Sequence, residues 1–220
     1  MSKEELKVEF PKELPEHIKL AFKIIIIGNS SVGKTCLIKR IIKNEFEENY
    51  QTTIGFEFIT MNVKINDSLF KLQIWDTCGQ EVYSSVIKSF YQNSILGIMV
   101  YSIDDKKSFE NLDFWLNEVK KNTEEIFPIV LIGNKSDSNN REVSFNEGED
   151  YAKKNNFICF NEASAKNGEN VIQIFEKISL YLYNEYKDIS FSRSNTFGNL
   201  NDDTVKLPDV QTENKKKGCC

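Results

Sequence analysis

The segment GNSSVGKT, running from Gly28 to Thr35, fits the pattern G-x-x-x-x-G-K-[ST] and follows directly on the apolar run FKIIII. Such a loop suits one task, the wrapping of a polyphosphate by backbone N–H groups. Gly28 and Gly33 stand where a side chain would keep the main chain from turning close to the anion. Ser30, Ser31 and Val32 between them offer their N–H groups. Lys34 brings a positive charge to the β- and γ-phosphates, and Thr35 offers a hydroxyl to Mg²⁺. The helix that starts here with CLIKRII points the positive end of its dipole at the anion. The pattern specifies a nucleotide phosphate. It leaves open the base and the acceptor of the transferred phosphoryl group.

Two later segments narrow both. NKSD, Asn134 to Asp137, follows the apolar run PIVLIG. The Asp137 carboxylate can accept two hydrogen bonds from the neighbouring N–H groups on the edge of guanine. Adenine presents a different donor and acceptor pattern and would leave that carboxylate unpaired, at a several-fold to many-fold cost in affinity. Asn134 can brace the loop and meet the base, and the stem of Lys135 can lie along the ring face. WDTCGQE, Trp75 to Glu81, ends the run KLQIW. Asp76 is placed to hold Mg²⁺ through a water. Gly79 can give a backbone N–H to the γ-phosphate, and Gln80 can orient an attacking water, so Gln80 and Lys34 are the catalytic candidates.

These segments must be held by a sheet. KLQIW, ILGIMVY, PIVLIG and FICF are apolar runs of strand length, and between them lie helix-like stretches such as SFENLDFWLNEVKK and ENVIQIFEKISLYLYNEY. The alternation predicts an α/β fold with an open, mostly parallel sheet and helices on both faces. FEFITMNVKIN and SLFKLQIW, joined at Asn66-Asp67, predict one antiparallel hairpin within it. Residues 1–20, charged and broken by Pro11 and Pro15, read as a flexible extension. Residues 187–220, rich in Ser, Asn, Asp and Thr, read as a flexible tail.

Composition agrees. The chain has 220 residues, 40% of them hydrophobic, and a net charge of −5. That is enough apolar material for one domain, and the acidic balance argues against nucleic acid as a partner. Five cysteines without paired spacing do not form a disulfide framework, which favours a reducing compartment. The charged start MSKEELKVEF has no apolar signal-peptide core. The single histidine, His17, lies in a polar stretch beside two prolines, so histidine triads and His-rich metal sites are not expected.

GNSSVGKT, TTIGFEF, WDTCGQE, NKSD and EASAK stand in the order and at the spacing of the Ras-superfamily small GTPases. The resemblance covers residues 21–186. It implies a P-loop G domain with a six-stranded sheet, five strands running one way and one the other. Within that superfamily the chain most resembles the Rab branch, through TTIGFEF, KLQIWDT, SFENLDFWLNEV and its end on two cysteines. The resemblance adds residues that local chemistry does not place. Phe46 matches an aromatic that packs edge-on against guanine. Tyr50 and Thr53 match the first switch segment, Thr53 closing over Mg²⁺ and the γ-phosphate in the GTP state. Ser164, Ala165 and Lys166 match the S-A-K motif, with the Ala165 N–H meeting the guanine carbonyl, and the Cys36 N–H would meet the α-phosphate. Phe58, Trp75 and Phe90 match an aromatic triad that contacts effectors, with Ile54 on the same surface.

The resemblance further implies a switch that cycles between GTP and GDP and regulates vesicle traffic. Unaided hydrolysis would be slow, on the order of 10⁻⁴ s⁻¹. Expected partners are an exchange factor, a GAP, a GDP-dissociation inhibitor, a Rab escort protein with its geranylgeranyl transferase, and effectors that read the GTP state. The chain would act as a monomer on the cytoplasmic face of intracellular membranes and cycle with the cytosol. Two lipid chains, on Cys219 and Cys220, give stable anchoring where one is marginal. Lys215, Lys216 and Lys217 add attraction to an anionic leaflet.

The sequence departs from the family at position 78, where cysteine replaces alanine, at Val82, where arginine is common, and at FYQNS in place of Y-Y-R-G-A. Cys78 either alters switch closure or is a tolerated small residue. The competing function is a GTP-binding interaction module with little or no hydrolysis; Lys34, Thr53 and Gln80, all present, argue against it. The Rab subfamily is not assignable from these residues.

Overall fold

The computed structural model describes residues 6–18, 20–48, 56–77, 90–123 and 127–187. Seven strands form one sheet in the order β1-β3-β4-β2-β5-β6-β7. They are β1 (Val8–Glu9), β2 (Ala21–Ile27), β3 (Phe56–Ile65), β4 (Ser68–Thr77), β5 (Leu96–Ser102), β6 (Ile129–Asn134) and β7 (Cys159–Ala163). The helices among the described residues are α1 (Lys34–Lys43), α2 (Lys106–Glu110), α3 (Leu112–Asn122), α4 (Phe145–Lys154) and α5 (Val171–Tyr186). β2 pairs in parallel with β4 and β5, β5 with β6, and β6 with β7. β3 pairs antiparallel with β4 and with β1, so it alone runs against the rest.

The pleat sends alternate residues to opposite faces, and both faces are dry. From β2, Ile24 and Ile26 join Leu37 and Ile38 of α1 and Ile174, Phe175 and Ile178 of α5. Ile25 and Ile27 point the other way and join Trp115, Leu116 and Val119 of α3 and Ala152 of α4. All four isoleucines are at most 2% exposed. This is why the run reads IIII rather than alternating with polar residues, and each contributes roughly 1.5–3 kcal/mol of burial.

The seventh strand corrects the count of six. Val8 and Glu9 pair with Ile65 and Lys64 at the end of β3. Leu6, Val8 and Phe10 pack against the α1–α5 core, and Asn62 Nδ2 donates to the Lys12 carbonyl at 2.8 Å. The stretch 6–12 is thus laid along the sheet edge rather than loose. Other boundaries moved less. The helix predicted over 108–121 is two, α2 and α3, parted at Asn111; Asp105 caps the first, its carboxylate accepting from the Ser108 N–H. The strand predicted at FICF starts at Cys159 and runs on into the EASAK segment. The hairpin turns at Asn66-Asp67 as expected, with Asn66 at φ 51°. His17 lies exposed in a turn.

Because β2, β4, β5, β6 and β7 are parallel, their C-terminal ends lie along one edge of the sheet. At or just beyond those ends stand Gly28, Asp76, Asp104, Asn134 and Ser164. In open α/β sheets this is the edge that binds ligands.

Candidate functional site

Gly28 leaves β2 at φ 140°, and a Cβ there would lie 2.1 Å from the Val100 carbonyl oxygen of β5. Gly33 ends the loop at φ 93°, and a Cβ there would lie 2.2 Å from Asn134 Nδ2. Both positions exclude a side chain on two counts, backbone conformation and space. Between them Ser31 takes φ 64°, and α1 begins at Lys34.

Lys34 and Thr35 are buried, although one is charged and the other polar. Lys34 Nζ donates to the carbonyls of Gly28 and Asn29, both at 2.8 Å, so its ammonium lies inside the turn of the loop. Thr35 Oγ1 donates to Asp76 Oδ2 across the β2–β4 pair. Asp76 is fully buried, and its Oδ1 has no hydrogen-bond partner among the described residues. Burial raises its pKa to about 6, opposed by the Thr35 hydrogen bond and the Lys34 charge and reinforced by Glu57. A buried carboxylate with one unused oxygen, next to a threonine hydroxyl at the head of a phosphate loop, is a hard oxygen donor set. It fits Mg²⁺, a cation that takes oxygen ligands and keeps several waters. The next residue, Thr77, donates from Oγ1 to the Ile26 carbonyl at 2.9 Å and ties the end of β4 to β2.

Asn134 closes the gap between this loop and the next. It is 1% exposed; its Nδ2 donates to the Val32 carbonyl at 2.7 Å, and its Oδ1 accepts the Ala165 N–H at 3.1 Å. One side chain therefore fixes the loops after β2 and β7 relative to the end of β6. Ser164, also buried, donates to Asp137 Oδ1 and accepts the Asn167 N–H. The Ser136 N–H donates to the Ala163 carbonyl at 3.0 Å. Asp137 itself is exposed, so its remaining oxygen surface faces outward. Lys135 sits at φ 67°, in the left-handed region, with Nζ 3.2 Å from Asp104 Oδ1. Burial acts to raise the Asp104 pKa, but the Ser102 and Lys135 contacts outweigh it and hold the carboxyl below its usual range. Lys166 is exposed, and its Nζ lies 2.9 Å from Glu48 Oε1.

Phe46 is half-buried at the rim of the α1–α5 core, while Cys36, in the first turn of α1, is half-buried with its thiol pKa raised by burial. Phe58 and Trp75 face each other across β3 and β4, ring centroids 5.4 Å apart, and Trp75 lies 5.9 Å from Phe90. The three rings form one row of graded exposure: Phe58 is 47% exposed, Trp75 half-buried and Phe90 8% exposed. Phe90 is thus mostly a core residue under the other two. Lys23 Nζ stands 4.4 Å from the centroid of the Trp75 ring. Tyr50, Thr53, Ile54, Cys78, Gly79, Gln80 and Val82, and the tail with Lys215–Lys217, Cys219 and Cys220, lie outside the described residues.

Two residues at the site, Arg40 and Trp115, belong to none of the motifs. Arg40 of α1 donates from Nε to the Ala165 carbonyl at 2.8 Å and from Nη2 to the Lys166 carbonyl at 2.5 Å. Trp115 Nε1 of α3 donates to Asn29 Oδ1 at 2.8 Å. These partners are far apart in the chain, and only the fold joins them.

The family model described as Ras family matches residues 23–184. The chain is 44% identical over 162 residues to Ras-related protein Rab-11B of Dictyostelium discoideum, covering 73% of each chain. It is 34% identical over 202 residues to Ras-related protein RABA1b of Arabidopsis thaliana, covering 90% of this chain and 93% of that one. It is 34% identical over 198 residues to Ras-related protein SEC4 of Saccharomyces cerevisiae, covering 90% of each. The phosphate loop, the sheet order and these likenesses agree: the chain belongs to the Ras family, as a small GTPase of its Rab branch.

Proposed function

We propose that the protein is a membrane-anchored GTP/GDP switch in vesicle traffic that binds its nucleotide with Mg²⁺ and hydrolyses GTP slowly. The observation that carries the nucleotide reading is Asp76, fully buried, bonded to Thr35 through one oxygen and with the other lacking a partner among the described residues. A buried carboxylate so placed costs stability without a cation and repays it when one is bound. Thr35, Thr53 and Asp76 are the residues that would hold the ion, Asp76 through a water. The ion would supply neutralisation of the charge on the β- and γ-phosphates. Lys34 counters phosphate charge from within the loop, and the N–H groups of Ser30, Ser31, Val32, Gly33, Lys34, Thr35 and Cys36 cradle the oxygens. Gln80 orients the attacking water. Asp137 reads the guanine edge, Lys135 and Phe46 enclose the ring, and Ala165 offers its N–H to the guanine carbonyl. Loss of the γ-phosphate frees Thr53 and Gly79, and effectors at Ile54, Phe58, Trp75 and Phe90 respond to the change.

Anchoring rests on Cys219 and Cys220 carrying geranylgeranyl chains beside Lys215–Lys217. The escort protein and transferase would install them, and a GDP-dissociation inhibitor would return the protein to the cytosol. An exchange factor and a GAP would set the two rates of the cycle. Equal partitioning of wild type and a Cys219→Ser/Cys220→Ser protein between membranes and cytosol would remove this part.

The decisive experiment is single-turnover phosphate release from GTP-loaded protein, with Gln80→Leu alongside and ATP as the base control. Slow release from wild type, slower in the variant and absent with ATP, is expected. Tight GTP binding with no release from either protein, also after addition of GAPs, would favour an interaction module that does not cycle.

A further inference from the structure

Asn29, the second residue of the phosphate loop, is held at both ends. Its carbonyl accepts from Lys34 Nζ at 2.8 Å, and its side-chain Oδ1 accepts from Trp115 Nε1 at 2.8 Å. The two donors differ in kind. The Lys34 ammonium is shared with the Gly28 carbonyl and is the group a phosphate would attract. The Trp115 N–H belongs to a ring only 5% exposed, on a helix fixed to the sheet by Leu112, Leu116 and Val119. Among the described residues Asn29 is its one acceptor, and as a neutral group held by it the N–H does not compete for the anion.

We propose that Trp115 is a positioning residue for the phosphate loop: its indole N–H holds the Asn29 side chain and so keeps the first turn of the loop closed when Lys34 turns toward a bound phosphate. The proposal rests on the nucleotide reading above. As the ammonium gives up part of its hold on the Gly28 and Asn29 carbonyls, the turn depends on what remains. That is the seat of Gly28 against Val100, the Asn134 bond to the Val32 carbonyl, and the Trp115 bond to Asn29. The first two fix the ends of the loop. Trp115 alone, among the described residues, holds a loop side chain from α3. A loop freed at Asn29 opens more easily, and an opened loop releases its phosphate. The effect therefore falls on dissociation.

The test uses the full chain, loaded with a fluorescent GDP analogue in the presence of Mg²⁺ and chased with excess GDP. Trp115→Phe keeps the ring and removes the N–H; Asn29→Ala removes the acceptor and leaves α3 untouched. Each is expected to speed release about three- to tenfold, the worth of one hydrogen bond. The double variant should release no faster than the faster single one, since both break the same bond. A second readout separates positioning from packing. The chain has two tryptophans, hence two indole N–H resonances. The one lost in Trp115→Phe should shift in Asn29→Ala and hold its place in Asn29→Asp, which keeps an oxygen for the bond. Wild type that binds the analogue while all variants release it within twofold of wild type would overturn the proposal alone, as would additive effects. Wild type that binds no guanine nucleotide would overturn the nucleotide reading and the proposal with it.

Discussion

The two ends of the site are built on opposite terms. At the phosphate end, Lys34, Thr35 and Asp76 are buried, at 6%, 5% and 0% exposure, and oppositely charged groups share one dry volume. At the base end, Asp137 and Lys166 stand in solvent, and the buried members, Asn134, Ser164 and Ala165, are neutral. On the function proposed above, a charged ligand would be met by charges whose burial already costs the protein something. A neutral base would, on that function, be met by groups that are cheap to keep but must be aimed, and hydrogen bonds from three loops hold them. The difference teaches where each kind of mutation should be read: in affinity at the first end, in geometry and stability at the second.

The largest effect should come from Lys34→Ala. Removing one partner of a desolvated charge contact costs about 2–5 kcal/mol, so affinity for GDP, measured by equilibrium titration, should fall roughly thirty- to several-thousand-fold. An unchanged affinity would break the contrast at its strongest point. Asn134→Ala comes next and attacks the other end. It leaves the Val32 carbonyl and the Ala165 N–H without their partner, at about 1–3 kcal/mol each. A clear drop in the urea midpoint should accompany faster nucleotide release.

Asp76→Asn sharpens the comparison through pH. The folded pKa of Asp76 is raised from 3.8 to about 6. The native state then holds the proton more tightly than the unfolded chain, and stability falls as pH rises from about 4 to 6. Without Mg²⁺, Asp76→Asn should exceed wild type in stability by about 2–3 kcal/mol at pH 7.5. The gap should close as the pH falls toward 4, and added Mg²⁺ with GDP should reverse the order. Denaturant titrations at three pH values would decide it. Arg40→Lys should act least. It gives up the fork that spans the Ala165 and Lys166 carbonyls while keeping a charge, and about 1 kcal/mol of stability is expected to go with it.

Much of this was legible in the residues. The loop from Gly28 to Thr35, the carboxylate at Asp76 and the brace at Asn134 are short local patterns whose chemistry demands those residue types, and they lie at strand ends as predicted. What was not legible depends on distant partners. Asn29 and Trp115 are 86 residues apart, and Arg40 and Ala165 are 125 apart. Neither Asn29 nor Arg40 is special by type; the crossings of the sheet bring their partners. β1 was legible in principle. Leu6, Val8 and Phe10 alternate with polar residues as a half-buried strand does, but charges and Pro11 obscured a pattern only two turns of the pleat long. The resemblance groups Phe90 with Phe58 and Trp75, and only the fold shows that its ring, 8% exposed, is the buried end of that row.

The direction of β3 has a practical consequence. Since β3 runs against its neighbours, its last residues, Lys64 and Ile65, fall at the pole of the sheet away from Asp76 and Asn134, and β1 is paired there. Lys7, with an exposed side chain, stands at that pole. A biosensor surface that captures the protein through this part of the chain would leave the loops after β2, β6 and β7 facing the flow.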